Sequence, residues 1–200
     1  MEKNQNINGI NAFQESIRLN SSNVSVWYNL GVASAHEGNL EQAIEAYERA
    51  IRINPSIADT WNNLGVVYDE KGEPGKAIDA FMMAIKLNPT AFSWYNLGIA
   101  YSLLDQHTQA IGAYQKAIRI GPEEYSIWLS LGNTYNKIEA FPNAVKAYRN
   151  AARLKPNDET IWYNLGNAYS NNKDYSQAVR AYRNALNINP TDTSTQQFPL

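Results

Sequence analysis

Few residues in this chain are equipped for acid–base, nucleophilic or metal chemistry. His36 and His107 are its two histidines, and a histidine can move a proton or bind a metal near neutral pH. Neither has a second His or any Cys at ligand spacing, so no metal site is expected. Asp69 and Glu70 make a carboxylate pair, but adjacent positions on a helix do not face each other. There is no glycine-rich phosphate loop of the GxGxxG or Walker type and no GxSxG nucleophile turn. No catalytic residue, no metal and no cofactor is therefore expected. What the chain has in quantity is recognition chemistry. Tyrosines offer an apolar body with a polar tip, and asparagines offer paired donors and acceptors.

The totals agree. The 200 residues are 44% hydrophobic and 18% charged, ordinary for a folded globular chain. The net charge of −2 gives no global attraction to nucleic acid or anionic lipid. Cysteine is absent, which removes disulfides and thiol chemistry. The polar start MEKNQNING has no signal-peptide core. No stretch approaches the roughly 18 apolar residues of a membrane-spanning helix. A soluble, cytoplasmic protein with no membrane partner is the expectation.

The elements that position the tyrosines and asparagines follow from a repeat. Trp27, Trp61, Trp94, Trp128 and Trp162 stand 34, 33, 34 and 34 residues apart. The same step carries a glycine four residues after each Trp, from Gly31 to Gly166, and prolines at Pro55, Pro89, Pro122, Pro156 and Pro190. Two alanine series run from Ala43 to Ala178 and from Ala50 to Ala185, with an aromatic series, Tyr47, Phe81, Tyr114, Tyr148 and Tyr182, between them. Trp61, Leu64, Gly65 and Tyr68 fall at i, i+3, i+4, i+7, one face of a helix, and Ala77, Phe81, Ala84 and Ile85 show the same spacing. Each unit thus predicts two helices, closed by a proline that stops the second. Asn39 and Asp174 read as side-chain caps of second helices. If the turn position of Gly38 and Gly72 needs a positive φ, its counterparts Asp105, Glu139 and Lys173 sit in strained turns.

The pattern W-x-N-L-G-x-x-Y, followed by Ala, aromatic, Ala and Pro, resembles the tetratricopeptide repeat (TPR) over residues 24–190. Ser34 departs from it, standing where the other units have Tyr68, Tyr101, Tyr135 and Tyr169. The resemblance implies an all-α, right-handed superhelical solenoid of helix-turn-helix repeats whose first helices line a concave groove. The expected organisation is a flexible N-terminus (1–9), an unpaired helix equal to half a repeat (10–22), repeats at 24–57, 58–90, 91–124, 125–158 and 159–190, and a flexible tail (191–200). The half repeat and the absence of a polar cap after Pro190 read as a piece of a longer array, or as bare ends that associate end to end.

By that resemblance, the residues beside the packing positions line the groove. Tyr28, Asn62, Tyr95, Leu129 and Tyr163 directly follow the tryptophans. Asn29, Asn63, Asn96 and Asn164 come next, with Ser130 in the fourth unit. They form a ladder able to hold the backbone of an extended peptide, similar to the asparagine-lined TPR interior of O-GlcNAc transferases. Val32, Val66, Ile99, Asn133 and Asn167 follow each glycine, changing from apolar to amide along the chain. Asp69, Asn136 and Phe92 complete the candidate peptide-binding set. In TPR domains that bind chaperone tails, the column after the tryptophan position carries lysine; here it holds none, which argues against a chaperone-tail partner.

The expected function is a non-enzymatic scaffold that binds a protein or peptide in the groove. The alternatives are a substrate-recruiting array of a larger enzyme, glycosyltransferase-like, and a self-assembling scaffold. Lys146, Arg149 and Arg153, with Arg180 and Arg183, form a basic stripe on the second helices. A solvated face is the simplest reading of such a stripe, and docking of an acidic protein or nucleic acid is the alternative. Nucleic acid is disfavoured as a partner, because Tyr148 and Tyr182 are committed to packing and cannot interleave with the basic residues.

Overall fold

The computed structural model describes residues 10, 12–13 and 15–189. The stretches 1–9 and 191–200, and Pro190, lie outside them. Residues 15–19 are helical. After them come α1 (Val24–His36), α2 (Leu40–Ile53), α3 (Ala58–Glu70), α4 (Pro74–Leu87), α5 (Ala91–Leu103), α6 (His107–Ile120), α7 (Tyr125–Lys137), α8 (Phe141–Leu154), α9 (Glu159–Asn171) and α10 (Tyr175–Ile188). The described residues contain no strand. The chain forms two compact units, residues 1–104 and 105–200. The odd-numbered helices carry the tryptophans and are called first helices below; the even-numbered ones are second helices.

Within each unit one packing scheme repeats. In unit 1, α1 packs on α2 and α3 on α4, α2 and α4 pack on the following α3 and α5, and α1, α3 and α5 touch in series. In unit 2, α7 packs on α8 and α9 on α10, α6 and α8 pack on the following α7 and α9, and α7 touches α9. At the start, Ile10 is buried against Leu30 and Ala46, with Phe13, Ile17 and Trp27 around them.

The recurring residues explain this closeness. Both alanine series are buried almost completely. A Cβ built on Gly31, Gly65, Gly132 or Gly166 would lie 2.5–2.6 Å from the ring of Tyr47, Phe81, Tyr148 or Tyr182 respectively. Real carbon contacts do not come so close, so the glycine leaves the hole that the ring of the second helix fills. The tryptophans are half-buried, and four of the indoles have a second task. Nε1–H donates to the carbonyl six residues earlier: Trp27 to Ser21 (2.9 Å), Trp61 to Pro55 (2.9 Å), Trp128 to Pro122 (2.8 Å) and Trp162 to Pro156 (2.7 Å). The indole therefore ties the turn that precedes its own helix.

The turns between first and second helices show the expected backbone. Gly38 and Gly72 have φ of 76° and 79°, and Asp105, Glu139 and Lys173 adopt φ of 54°, 59° and 64°. An L-residue held there costs about 1–2 kcal/mol relative to the right-handed region. The expected caps differ. Asn39 and Asp174 make no side-chain cap bond. Their ψ values of 70° and 67°, set by the positive-φ residue just before them, lie outside the extended region that a capping side chain needs. Side-chain caps occur instead on first helices, at Asn23, at Asp158 and at Thr90, which forms a reciprocal box with Ser93. Pro74 sits in the first turn of α4, where its missing N–H costs no helix bond. Ser34 is fully buried, and its hydroxyl donates to Gln42 Oε1 at 2.9 Å.

Candidate functional site

The candidate residues lie on first helices, but they do not share one environment. In unit 1, Tyr28 tilts against Tyr47 with ring centroids 6.1 Å apart, and its hydroxyl accepts from Asn63 Nδ2 at 3.1 Å. Two first helices are thereby linked, α1 to α3. Asn29 is exposed, as are Val32 (41%) and Phe92 (59%). Val66, Tyr95 and Ile99 are half-buried. Asn62 and Asn96 are buried, leaving Asn62 Oδ1 and Asn96 Nδ2 without a hydrogen-bond partner within the chain. Asp69 Oδ1 is likewise buried and unpaired.

Asp69 has a measurable consequence. Burial pushes its carboxyl up to about 6, whereas an unfolded Asp titrates near 3.9. Below about pH 4 both states are protonated and the residue is neutral toward stability. As pH rises from about 4 to about 6 the unfolded state ionises first, so stability falls, and the penalty is complete above about 6. The side chain is half-exposed, and solvent screening reduces the penalty to about 1 kcal/mol. Asp69→Asn should therefore raise stability by about that amount above pH 6 and leave it unchanged below pH 4. Urea unfolding across this pH range measures both limits.

In unit 2, Tyr163 tilts against Tyr182 at 5.9 Å. Leu129 packs against Ala151, Ala152 and Ile161 of the core. Asn164 is half-buried, and Asn136 Oδ1 is buried without a partner within the chain. Asn133 and Asn167 have a task that the linear pattern did not reveal. Tyr148 Oη donates to Asn133 Oδ1 at 2.8 Å, and Tyr182 Oη donates to Asn167 Oδ1 at 2.7 Å. In the second repeat, within unit 1, the aromatic is Phe81, which has no hydroxyl, and the matching residue is Val66. The apolar-to-amide change along this column thus tracks, at these three places, what the second-helix ring needs. Each Asn carbonyl is committed inward; its Nδ2 group takes no part in that bond. Burial holds the hydroxyls of Tyr47 and Tyr148 well above the usual tyrosine range.

A second kind of concavity, which the residue columns do not reveal, follows from the half-burial of the tryptophans. Between successive second helices run open trenches floored by Trp, Leu and Tyr of the intervening first helix. One of about 370 Å³ lies between α2 and α4 over Trp61, Leu64 and Tyr68. Another, about 440 Å³, lies between α6 and α8 over Trp128, Leu131 and Tyr135. The third, about 420 Å³, lies between α8 and α10 over Trp162, Leu165 and Tyr169. The half-exposure of each Trp is what opens them.

Among the described residues no group of three His, Cys, Asp or Glu side chains could hold a metal ion. No helix among them is long and apolar enough to cross a membrane.

Comparison with known families settles the class. Models described as tetratricopeptide repeat match residues 58–90, 91–124 and 160–192, and residues 12–45; a model described as TPR repeat matches 34–72 and 132–173. The chain belongs to the tetratricopeptide repeat family. No match is found among curated proteins. Among solved structures, the TPR chain is similar to MamA at 25% identity and a TM-score of 0.79, over 88% of this chain and 97% of that one. It is similar to YrrB, described as a TPR protein with an unusual peptide-binding site, at 21% identity and a TM-score of 0.79, over 92% and 96%. A third similar structure is pilF of Pseudomonas aeruginosa, at 20% identity and a TM-score of 0.73, over 86% and 79%. The fold class is the all-α TPR solenoid, and its repeats supply the surfaces of a protein-interaction scaffold.

Proposed function

We propose that this TPR chain is a non-catalytic scaffold whose first-helix face binds an extended segment of a partner protein. The observation that carries the reading is the unspent hydrogen-bonding capacity on first helices. Asn62 Oδ1, Asp69 Oδ1, Asn96 Nδ2 and Asn136 Oδ1 are all buried without a partner within the chain, whereas buried polar atoms ordinarily find one. Side-chain turns that bring these atoms to the surface would offer a peptide backbone both donors and acceptors. The exposed Val32 and Phe92 offer apolar anchor points in unit 1, and unpaired Asp69 favours a basic side chain there. YrrB, which has a peptide-binding site, shares the fold, and that supports a peptide partner here.

The test is Phe92→Ala combined with Asp69→Asn. Phe92 is exposed and Asp69→Asn removes a carboxylate that burial disfavours, so the variant should remain folded. Wild type and variant are used as bait in native cell extract, with far-UV circular dichroism as the folding control. A set of captured proteins that the variant retains undiminished would rule out the face as the binding site.

A further inference from the structure

The second helices of unit 1 mix acidic and basic residues, whereas those of unit 2 carry basic residues alone. α2 contains Glu41, Glu45 and Glu48 beside Arg49 and Arg52, and α4 contains Asp79 beside Lys76 and Lys86. α8 carries Lys146, Arg149 and Arg153, α10 carries Arg180 and Arg183, and neither has an Asp or Glu. The chain as a whole has a net charge of −2, so this is a local concentration of positive charge.

The same trench shows what changes. In unit 1 its rim holds Glu48 and Asp79 with Arg52 and Lys76. Glu48 accepts the Tyr68 hydroxyl at 3.0 Å, and burial together with that carboxylate pushes the hydroxyl up to about 12. In the trench between α6 and α8 the position of Glu48 is taken by Gln115, which donates to Tyr135 Oη at 3.1 Å. Between α8 and α10 it is Arg149, and the position of Asp79 is Arg180. Acid, amide and guanidinium occupy one place on one scaffold, so packing does not dictate the charge.

The α8–α10 trench therefore combines an apolar floor with Arg149, Arg153 and Arg180, and no carboxylate lines it. Arg153 reaches Glu123 at 3.9 Å, and both side chains are well exposed. Guanidinium groups bind carboxylates through paired hydrogen bonds, and Trp and Arg are the residues most enriched where interfaces concentrate their energy. Carboxylates stand in the turns that join these helices, at Glu123, Asp158 and Asp174, and at Glu159, the first residue of α9. These carboxylates disfavour a long phosphate backbone more than a short acidic segment, which meets fewer of them.

We propose that the α8–α10 trench docks an acidic segment of a partner protein, placing an aromatic or aliphatic side chain on Trp162 between carboxylates held by Arg149, Arg153 and Arg180. The site is separate from the first-helix face, so one chain can hold two partner segments.

The test is fluorescence anisotropy on the full chain with three labelled probes: a short glutamate-rich peptide with a central Phe, the same peptide with glutamine for glutamate, and a single-stranded oligothymidylate. The acidic peptide should bind and weaken with added salt, and the other two should bind at least about tenfold more weakly. Arg149→Glu with Arg180→Glu should weaken the acidic peptide by about tenfold or more, and Arg52→Glu in the unit 1 trench should not. If the double reversal perturbs the circular dichroism or Tm, Arg149→Gln with Arg180→Gln takes its place. Peptide binding that survives the substitutions, oligothymidylate binding as tight as the peptide's, or no peptide binding at low salt would each overturn the proposal.

Discussion

Trp128→Ala should destabilise unit 2 by about 3 kcal/mol, the lower end for removing a buried Trp, because this ring is only half-buried. Two losses combine. The ring leaves the cluster of Ala151, Ala152 and Ile161, where it packs beside Tyr125 and Trp162. The carbonyl of Pro122 also loses its indole donor at 2.8 Å, which loosens the turn before α7. Trp128→Phe separates the two. It keeps most of the apolar ring and drops the bond, so its cost should be about 1 kcal/mol, the usual net worth of one hydrogen bond. Repeat proteins gain stability from each repeat and from its interfaces with neighbours, so loss of one joint should also broaden the unfolding transition. Urea titrations of the three proteins measure midpoint and slope together. Equal, small losses for Ala and Phe would mean that the indole does not tie the joint.

Gly132→Ala and Gly112→Ala should move stability in opposite directions, although both add one methyl group to a helix. At Gly132 the new Cβ would meet Tyr148 Cδ1 and Cε1 at 2.6 Å. The ring cannot easily yield, because it is buried and its hydroxyl is bound to Asn133. Overpacking of this kind costs about 1–3 kcal/mol, more than the roughly 1 kcal/mol of helix propensity that alanine brings. At Gly112, inside α6, a Cβ has no neighbour within 4 Å, so the propensity gain stands alone and stability should rise by about 0.5–1 kcal/mol. Thermal melts of the two variants decide the matter, and a neutral Gly132→Ala would show that the ring has room to shift.

These two contrasts also explain what was readable from the linear chain. Trp, Gly and the ring of the second helix recur because hard sterics allow few substitutes, and such residues repeat at the period of the fold. Gly38 and Gly72 predicted the positive φ at Asp105, Glu139 and Lys173, since a backbone conformation is inherited by position even when glycine is not. Asn39 and Asp174 misled because a cap depends on ψ as well as on residue type. The candidate groove was legible only as columns. Which amide stays unpaired and which is committed depends on a side chain 15 residues away in the next helix, as with Asn133 and Tyr148. Tyr47 has Val32 rather than Asn at its matching position, while Asn63 of the next first helix bonds Tyr28, so even an internal comparison of the repeats gives no single rule. The trenches were missed because a Trp that serves as a joint was assumed to be fully covered.

The pairing of Tyr148 with Asn133, Tyr182 with Asn167 and Phe81 with Val66 decides how this array could be recombined. A helix pair is a transplantable part and its halves are not. Splicing α4 in place of α8 would leave the Asn133 carbonyl facing a phenyl ring, and the reciprocal splice would leave a tyrosine hydroxyl facing Val66. The hydroxyl orphaned on the buried tyrosine would cost about 1–3 kcal/mol, and the exposed Asn133 carbonyl less, since water can reach it. Whole-repeat duplication, deletion or shuffling moves both members together and meets no such barrier.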